Sequence, residues 1–280
     1  MARPARTVAR PVAQPTSQRT PNWSGTQVGG FNGASQMSNA MVEPGAFLFF
    51  APTLGDFGLV TREANREMPF SVSGRPWSYT AGAFLGYNVQ LGAYVVGVEG
   101  DVAWKNSQST QSAFALTPAT YFPTPFGTTG MAVRTESFNG SVKQTWDSSL
   151  RARAGFLYTP WTLIYATGGL AFGEVSGSFG YAAMINYPGA FGSAATSGGM
   201  SWSDTRVGWT AGGGVEHEVA PGVKVRAEYR YSDLGSYSKS IPLTYEPLCT
   251  ACAAAPFSTG AQVNLHPTFQ TIRVGLGFNF

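Results

Sequence analysis

The sequence predicts an all-β fold: an eight-stranded antiparallel up-and-down transmembrane β-barrel with four long extracellular loops and short periplasmic turns. Three observations predict it. Only 12% of the 280 residues are charged, about half the usual ~25%, yet mean hydropathy is −0.05 and no run of ~18 apolar residues offers a membrane helix. Apolar residues instead alternate with polar ones at a period of two, and such segments recur eight times from Trp23 onward. The connections between segments alternate between long and short, which gathers the long ones on one side of an antiparallel sheet. Backbone polar groups in lipid must all be paired, and a closed sheet achieves this without an open edge.

Residues 1–22, MARPARTVARPVAQPTSQRTPN, hold proline, arginine and glutamine but no apolar stretch of seven, so they do not read as a secretory signal. Their composition is that of a flexible periplasmic tail, and the barrel domain is expected to span 23–280. The opening strand runs from Trp23 to about Ala34. Next come Trp77–Gln90 and Ala93–Lys105, where Tyr94, Val96, Val98, Val102 and Trp104 face one way and Glu99, Asp101 and Lys105 the other. Val142–Tyr158 sets Trp146, Leu150, Ala152, Ala154, Phe156 and Tyr158 against Asp147, Ser149, Arg151 and Arg153. In Trp161–Ser178 small residues blur the two faces. Ser201–Val219 sets Val207, Trp209, Ala211 and Val215 against Arg206, Thr210 and Glu216. From Val223 to Tyr231 the apolar side is Val223, Val225, Ala227, Tyr229 and Tyr231, and the polar side is Lys224, Arg226, Glu228 and Arg230. The last strand, PTFQTIRVGLGFNF, opposes Ile272, Val274, Leu276, Phe278 and Phe280 to Arg273 and its neighbours.

Short reversals fall at Leu91-Gly92, Pro160 and Pro221-Gly222, where glycine or proline suits a tight turn. The long loops are 35–76, 106–141, 179–200 and 238–266. Trp77, Tyr87, Tyr94, Trp104, Trp146, Tyr158, Trp161, Trp202, Tyr229, Tyr231 and Phe280 fall near strand ends, as an interfacial aromatic belt requires.

An interior enclosed by eight strands is narrow enough for side chains to fill. Strand parity places Glu99, Asp101, Asp147, Glu216 and Glu228 inside with Arg151, Arg153, Arg206, Lys224, Arg226, Arg230 and Arg273. Charges of both signs in such a tube should pair, because an unpaired one is costly to bury. A plugged lumen is therefore expected; bases outnumber acids, so the alternative, a small porin, would lean toward anions. The net charge of +3 is too slight for a nucleic-acid partner. Enzymatic chemistry is not expected, since the two histidines, His217 and His266, fall at opposite ends of the strands. Gly168-Gly169 and Gly212-Gly213-Gly214 read as room for close packing, because no strand-to-helix unit follows them. Cys249 and Cys252 have metal-like spacing without a second pair. A local disulfide in an external loop is the expectation, with no metal and no cofactor.

The second and third long loops are poor in charge, and the first and fourth carry apolar runs. AFLFFA carries Phe47, Leu48, Phe49 and Phe50; the second loop carries Tyr121, Phe122 and Phe126; and the uncharged third carries Tyr187 and Phe191. Apolar loops of this kind need cover, so they are expected to form an external cap that joins neighbouring copies. The competing reading is an adhesin or receptor surface.

WSGTQVGG after a proline-rich tail, LGYNVQLGAYVVGVEGDVAW, RARAGFLY, YATGGLAFG, RAEYRYSDLGSY and the terminal VGLGFNF together resemble the small outer-membrane immunogenic or porin-family proteins with an OmpA-like barrel. The resemblance covers Trp23 to Phe280 and leaves the loops unmatched. It implies residence in the bacterial outer membrane among lipid and lipopolysaccharide, a structural role in the envelope, and a C-terminal signal for the barrel assembly machinery at Leu276, Phe278 and Phe280. The tail, on the periplasmic side, is placed to reach peptidoglycan.

Overall fold

The computed structural model describes residues 20–38, 41–44, 71–73, 77–121, 130–186, 193–247 and 257–280. Among the described residues twelve strands form one antiparallel sheet: β1 (Gly25–Ser38), β2 (Met41–Pro44), β3 (Ser71–Ser73), β4 (Ser78–Leu91), β5 (Tyr94–Tyr121), β6 (Gly130–Thr159), β7 (Thr162–Asn186), β8 (Ser193–Ala220), β9 (Val223–Asp233), β10 (Tyr237–Pro247), β11 (Phe257–Leu265) and β12 (Thr268–Asn279). Eight of them close a ring. β1 pairs with β12 and β4, the meander continues from β4 through β8, and β9 joins β8 to β12. Gly92 and Gly222, both at positive φ, make two of the short reversals.

The outer wall of the ring is apolar. On β5 the exposed residues include Tyr94, Val96, Val98, Val102 and Trp104; β12 adds Ile272, Val274, Leu276 and Phe278; and β8 adds Val207, Trp209 and Val215. On β5 this face runs over eleven residues, Tyr94 to Trp104, matching the ~9–11 needed by a tilted spanning strand. Aromatics mark both rims: Trp104 faces Trp146 at the outer one, and Tyr94 and Tyr158 stand at the periplasmic one.

The long loops expected at 106–141 and 179–200 are largely strand. β5, β6, β7 and β8 contain 28, 30, 25 and 28 residues, so at ~3.3 Å per residue they rise far above the apolar band. β3, β2, β10 and β11 widen this upper wall. The sequence pattern hides the extension because polarity inverts along it. On β7, within the band, Leu170 faces out and Thr167 in; beyond it, Glu174 and Ser178 face out while Val175, Phe179 and Tyr181 are buried. Lipid surrounds the lower wall and water the upper, so the greasy face moves from the outside to the inside.

On β6 a further device intervenes. Its register shifts around Thr145 and Trp146 against both neighbours, and a one-residue slip turns every following side chain to the opposite face. Odd residues such as Asp147, Arg151 and Arg153 point inward below the bulge, whereas Phe138, Val142 and Gln144 do so above it.

The inward residues of the upper wall form one core of Met37, Phe138, Val142, Val175, Phe179, Tyr181, Leu234, Ile241, Leu243, Val263, Leu265, Phe269 and their neighbours. Two sequence expectations need correction here. Trp202 belongs to the packing around this core and not to the membrane belt, and Trp23 precedes the first strand and is wholly buried. Residues 1–19, Cys249, Cys252, Phe47, Leu48, Phe49, Phe50, Phe122, Phe126, Tyr187 and Phe191 lie outside the described residues, and Tyr121 closes β5.

Candidate functional site: the charged lumen

The candidate site is the interior at the level of the apolar band, where inward side chains from all eight ring strands meet. At the periplasmic mouth Trp23 packs on Val95, Leu163 and Tyr165. Its indole N–H donates to the Pro160 carbonyl (3.1 Å) and its backbone N–H to Gln90 Oε1 (3.1 Å). Asn279 Nδ2 donates to the Ser24 carbonyl (3.0 Å), so Asn22–Ser24 straps the mouth between two turns and the last strand. The Lys224 ammonium lies 4.0 Å from the Trp23 ring centre, a cation–π contact that partly replaces lost hydration.

Deeper in, Glu216 accepts from Arg153 Nη2 (2.9 Å) and Gln27 Nε2 (3.2 Å). Gln27 Oε1 accepts in turn from Arg153 and Asn88. The centre is a mesh around Arg151. Its guanidinium reaches Glu99 (2.6 Å), Asp101 (2.8 Å) and Glu228 (2.6 Å). Arg226 pairs with Glu99 at 2.6 Å, and Arg273 with Glu228 at 2.6 Å and Asp101 at 3.2 Å. The Tyr165 hydroxyl donates to the free side of Glu228 (2.8 Å). Toward the outer end Arg230 bridges Asp101 (3.0 Å) and Asp147 (2.8 Å), and Lys105 completes the chain on Asp147 at 2.7 Å.

Aromatic rings line the cations: Phe84 under Arg226 (3.5 Å), Phe31 under Arg273 (4.3 Å), Tyr165 under Arg153 (4.2 Å) and Phe269 under Lys105 (4.3 Å). Phe269 belongs to the upper apolar core, so the ionic mesh abuts that core directly. Charge-assisted bonds at 2.6–2.8 Å are the strong class, and nearly every carboxylate here accepts from two or more donors. Such a lattice ties inward side chains of several ring strands to one another.

The structure joins Glu99, Asp101, Asp147, Arg151, Arg153, Glu216, Arg226, Glu228, Arg230 and Arg273 into this mesh, with Lys224 at its periplasmic edge. Arg206 does not join. It lies above the band and stacks on Tyr237, away from the carboxylates of the mesh. Reasoning from sequence missed Lys105, Gln27, Asn88 and Tyr165 as members. Lys105 and Gln27 follow the same strand parity as their neighbours, which was the available signal; nothing in the sequence marked Trp23 as a plug. The two histidines are far apart along the wall: the exposed His217 is bonded to Thr162, and His266 lies 3.0 Å from Asp233. A recess of about 850 Å³ is lined by the outward-facing Val28, Leu85, Tyr87, Val98 and Val102 and by the inward-facing Phe84, Glu99 and Asp101.

Sequence relatives of the chain are named as outer-membrane proteins. The chain is 28% identical to the 31 kDa outer-membrane immunogenic protein of Brucella melitensis, over 80% of this chain and 75% of that one. It is 27% identical to the 25 kDa outer-membrane immunogenic protein of Brucella abortus (74% and 68%) and 26% identical to a 22 kDa outer membrane protein of Rhizobium leguminosarum (70% and 64%). None of these names denotes an enzyme. Among solved structures, Ail of Yersinia pestis aligns over 91% of this chain and 99% of its own at 12% identity with a TM-score of 0.31. The outer membrane protease OmpT of Escherichia coli aligns at 8% identity with a TM-score of 0.32, over 95% of this chain and 99% of its own. The family model for the outer membrane protein beta-barrel domain matches residues 17–280, and the chain is therefore a member of that family, a β-barrel of the outer membrane.

Proposed function

We propose that the protein is a non-conducting structural barrel of the envelope, closed by its own side chains. The observation that carries this reading is the stacking of three obstructions along one axis: the Trp23 strap, the ion-pair mesh from Glu216 to Lys105, and the apolar core above Phe269. A water-filled path would have to cross all three. Catalysis has no place in this reading, and neither do a metal or a cofactor. Lipid and lipopolysaccharide are the partners of the outer wall. Leu276, Phe278 and Phe280 face lipid at the end of the chain, where the assembly machinery could read them, and the arginine-bearing tail at the periplasmic end could meet peptidoglycan. Recordings in planar bilayers test the closure: purified protein is expected to give no stable conductance, and large, long-lived channels, anion-leaning or otherwise, would overturn it.

A second reading, association between copies, is favoured by the outer face of the upper wall. There Phe114, Val133 and Met184 are exposed on adjacent strands, well beyond the apolar band. A cysteine placed at Phe114 is expected to crosslink neighbouring copies in native membranes, and only monomers would count against it.

A further inference from the structure

The wall contains a seam. β10 pairs with β8 only through Ala194–Ser197, and β9 pairs with it only from Trp209 downward. Between Gly198 and Gly208, β8 has no laddered neighbour on that side among the described residues. Side chains bridge the seam instead. Lys239 on β10 pairs with Asp204 on β8 at 2.5 Å. The Arg206 guanidinium stands 4.3 Å from the centre of the Tyr237 ring, and Lys239 Nζ lies 5.9 Å from the same centre. Trp202 stacks on Phe179 at 4.6 Å and forms the floor with Tyr237, over the apolar core.

The donors here are incompletely used. Arg206 Nε is buried without a hydrogen-bond partner. The Trp202 indole N–H and the Tyr237 hydroxyl are likewise buried without a hydrogen-bond partner. Asp204 answers Lys239, whereas no carboxylate in the described structure lies within ion-pair distance of Arg206. The seam therefore offers one uncompensated cation, a second cation held by a single exchangeable partner, and further donors beside them. It stands above the lipid band and is partly open, with side-chain exposures of 24% for Lys239 and 38% for Asp204.

We propose that this seam binds an oxyanion ester, the phosphate or sulfate group of an acidic saccharide in the layer outside the membrane. Arg206 presents the planar fork that suits such oxygens, Lys239 turns to the anion as Asp204 releases it, and Tyr237 keeps the guanidinium in place. The lumen mesh plays no part, so this inference and the closed-barrel reading stand or fall separately.

The test is calorimetric titration of the full chain, folded in detergent micelles, with glucose 1-phosphate and with glucose. Saturable binding is expected for the ester alone. Arg206→Gln is expected to weaken it about tenfold, the loss of one charge-assisted bond. Asp204→Asn is expected to strengthen it, since it frees Lys239; a gain cannot come from misfolding. Absence of saturable binding, equal affinity for glucose, or affinity unchanged in both variants would overturn the proposal. Repeating the titration in bilayers of phosphorylated and of dephosphorylated lipopolysaccharide separates the sources. Weaker apparent affinity only in the phosphorylated bilayer assigns the site to the membrane's own saccharide, and equal affinity assigns it to a soluble one.

Discussion

Glu228→Gln is the most searching perturbation of the lumen. The Glu228 carboxylate accepts from Arg151 at 2.6 Å, from Arg273 at 2.6 and 3.1 Å, and from the Tyr165 hydroxyl at 2.8 Å. The amide keeps the shape and removes the charge. At an effective dielectric of ~20, each lost attraction at ~4 Å is worth about 4 kcal/mol before compensation. Compensation is substantial, because Arg151 retains Glu99 and Asp101, and Arg273 retains Asp101. The net cost is expected to be about 3–5 kcal/mol, the range for removing one partner of a buried pair. With a urea slope of ~2–3 kcal/mol/M, the unfolding midpoint in detergent, followed by the heat-dependent gel mobility shift, should fall by about 1–2 M. The double variant Glu228→Gln/Arg273→Gln should recover part of this, since neighbours in one network couple by ~0.5–3 kcal/mol. A single-variant midpoint equal to that of the wild type would show that the mesh does not hold the barrel, whatever its geometry.

Three further outcomes follow from the same structure. Trp23→Ala empties the periplasmic mouth; it should cost about 3–5 kcal/mol and expose Lys224 to a water-soluble acylating reagent, and an unchanged acylation rate would show that the strap is not the closure. Phe280, 79% exposed on the lipid side, supports no interior packing; Phe280→Ala should leave the refolded protein heat-modifiable while reducing the amount assembled in cells, and equal assembly would refute the signal role. Glu174, outside the lipid band, accepts from Ser203 and Thr145, and these hydroxyls hold its carboxyl below the usual carboxylate range. A depressed group contributes stability above its unfolded value of ~4.3 and loses it as pH falls through the folded value. Amide protection in the upper parts of β6–β8 should therefore drop in acid more for the wild type than for Glu174→Gln, and identical pH profiles would argue against it.

The membrane-spanning ring was legible because lipid and a charged interior make opposite demands on alternate residues. Val223–Tyr231 shows this most clearly, with every second side chain charged and its neighbours apolar. Parity then sorts charges into the lumen without any knowledge of distance, and Arg206 shows the limit of parity alone: it shares the inward face of Glu216 but stacks on Tyr237 outside the mesh. The upper wall was illegible for a related reason. In 106–121 and 130–141 serine, threonine, glycine and alanine dominate, so the contrast between faces is weak, and the inversion outside lipid reverses what contrast remains.

By itself, then, the sequence determined the class of fold, the number of crossing strands and, on most strands, which side meets lipid, because period-two alternation is a local property set by solvent on two sides. Only the tertiary structure decided which acid meets which base, that Trp23 packs on Val95, Leu163 and Tyr165, that a bulge at Thr145–Trp146 reverses β6, and that β8 and β10 part above the membrane. Each of these depends on register between strands distant in the chain, which alternation within a single strand does not encode.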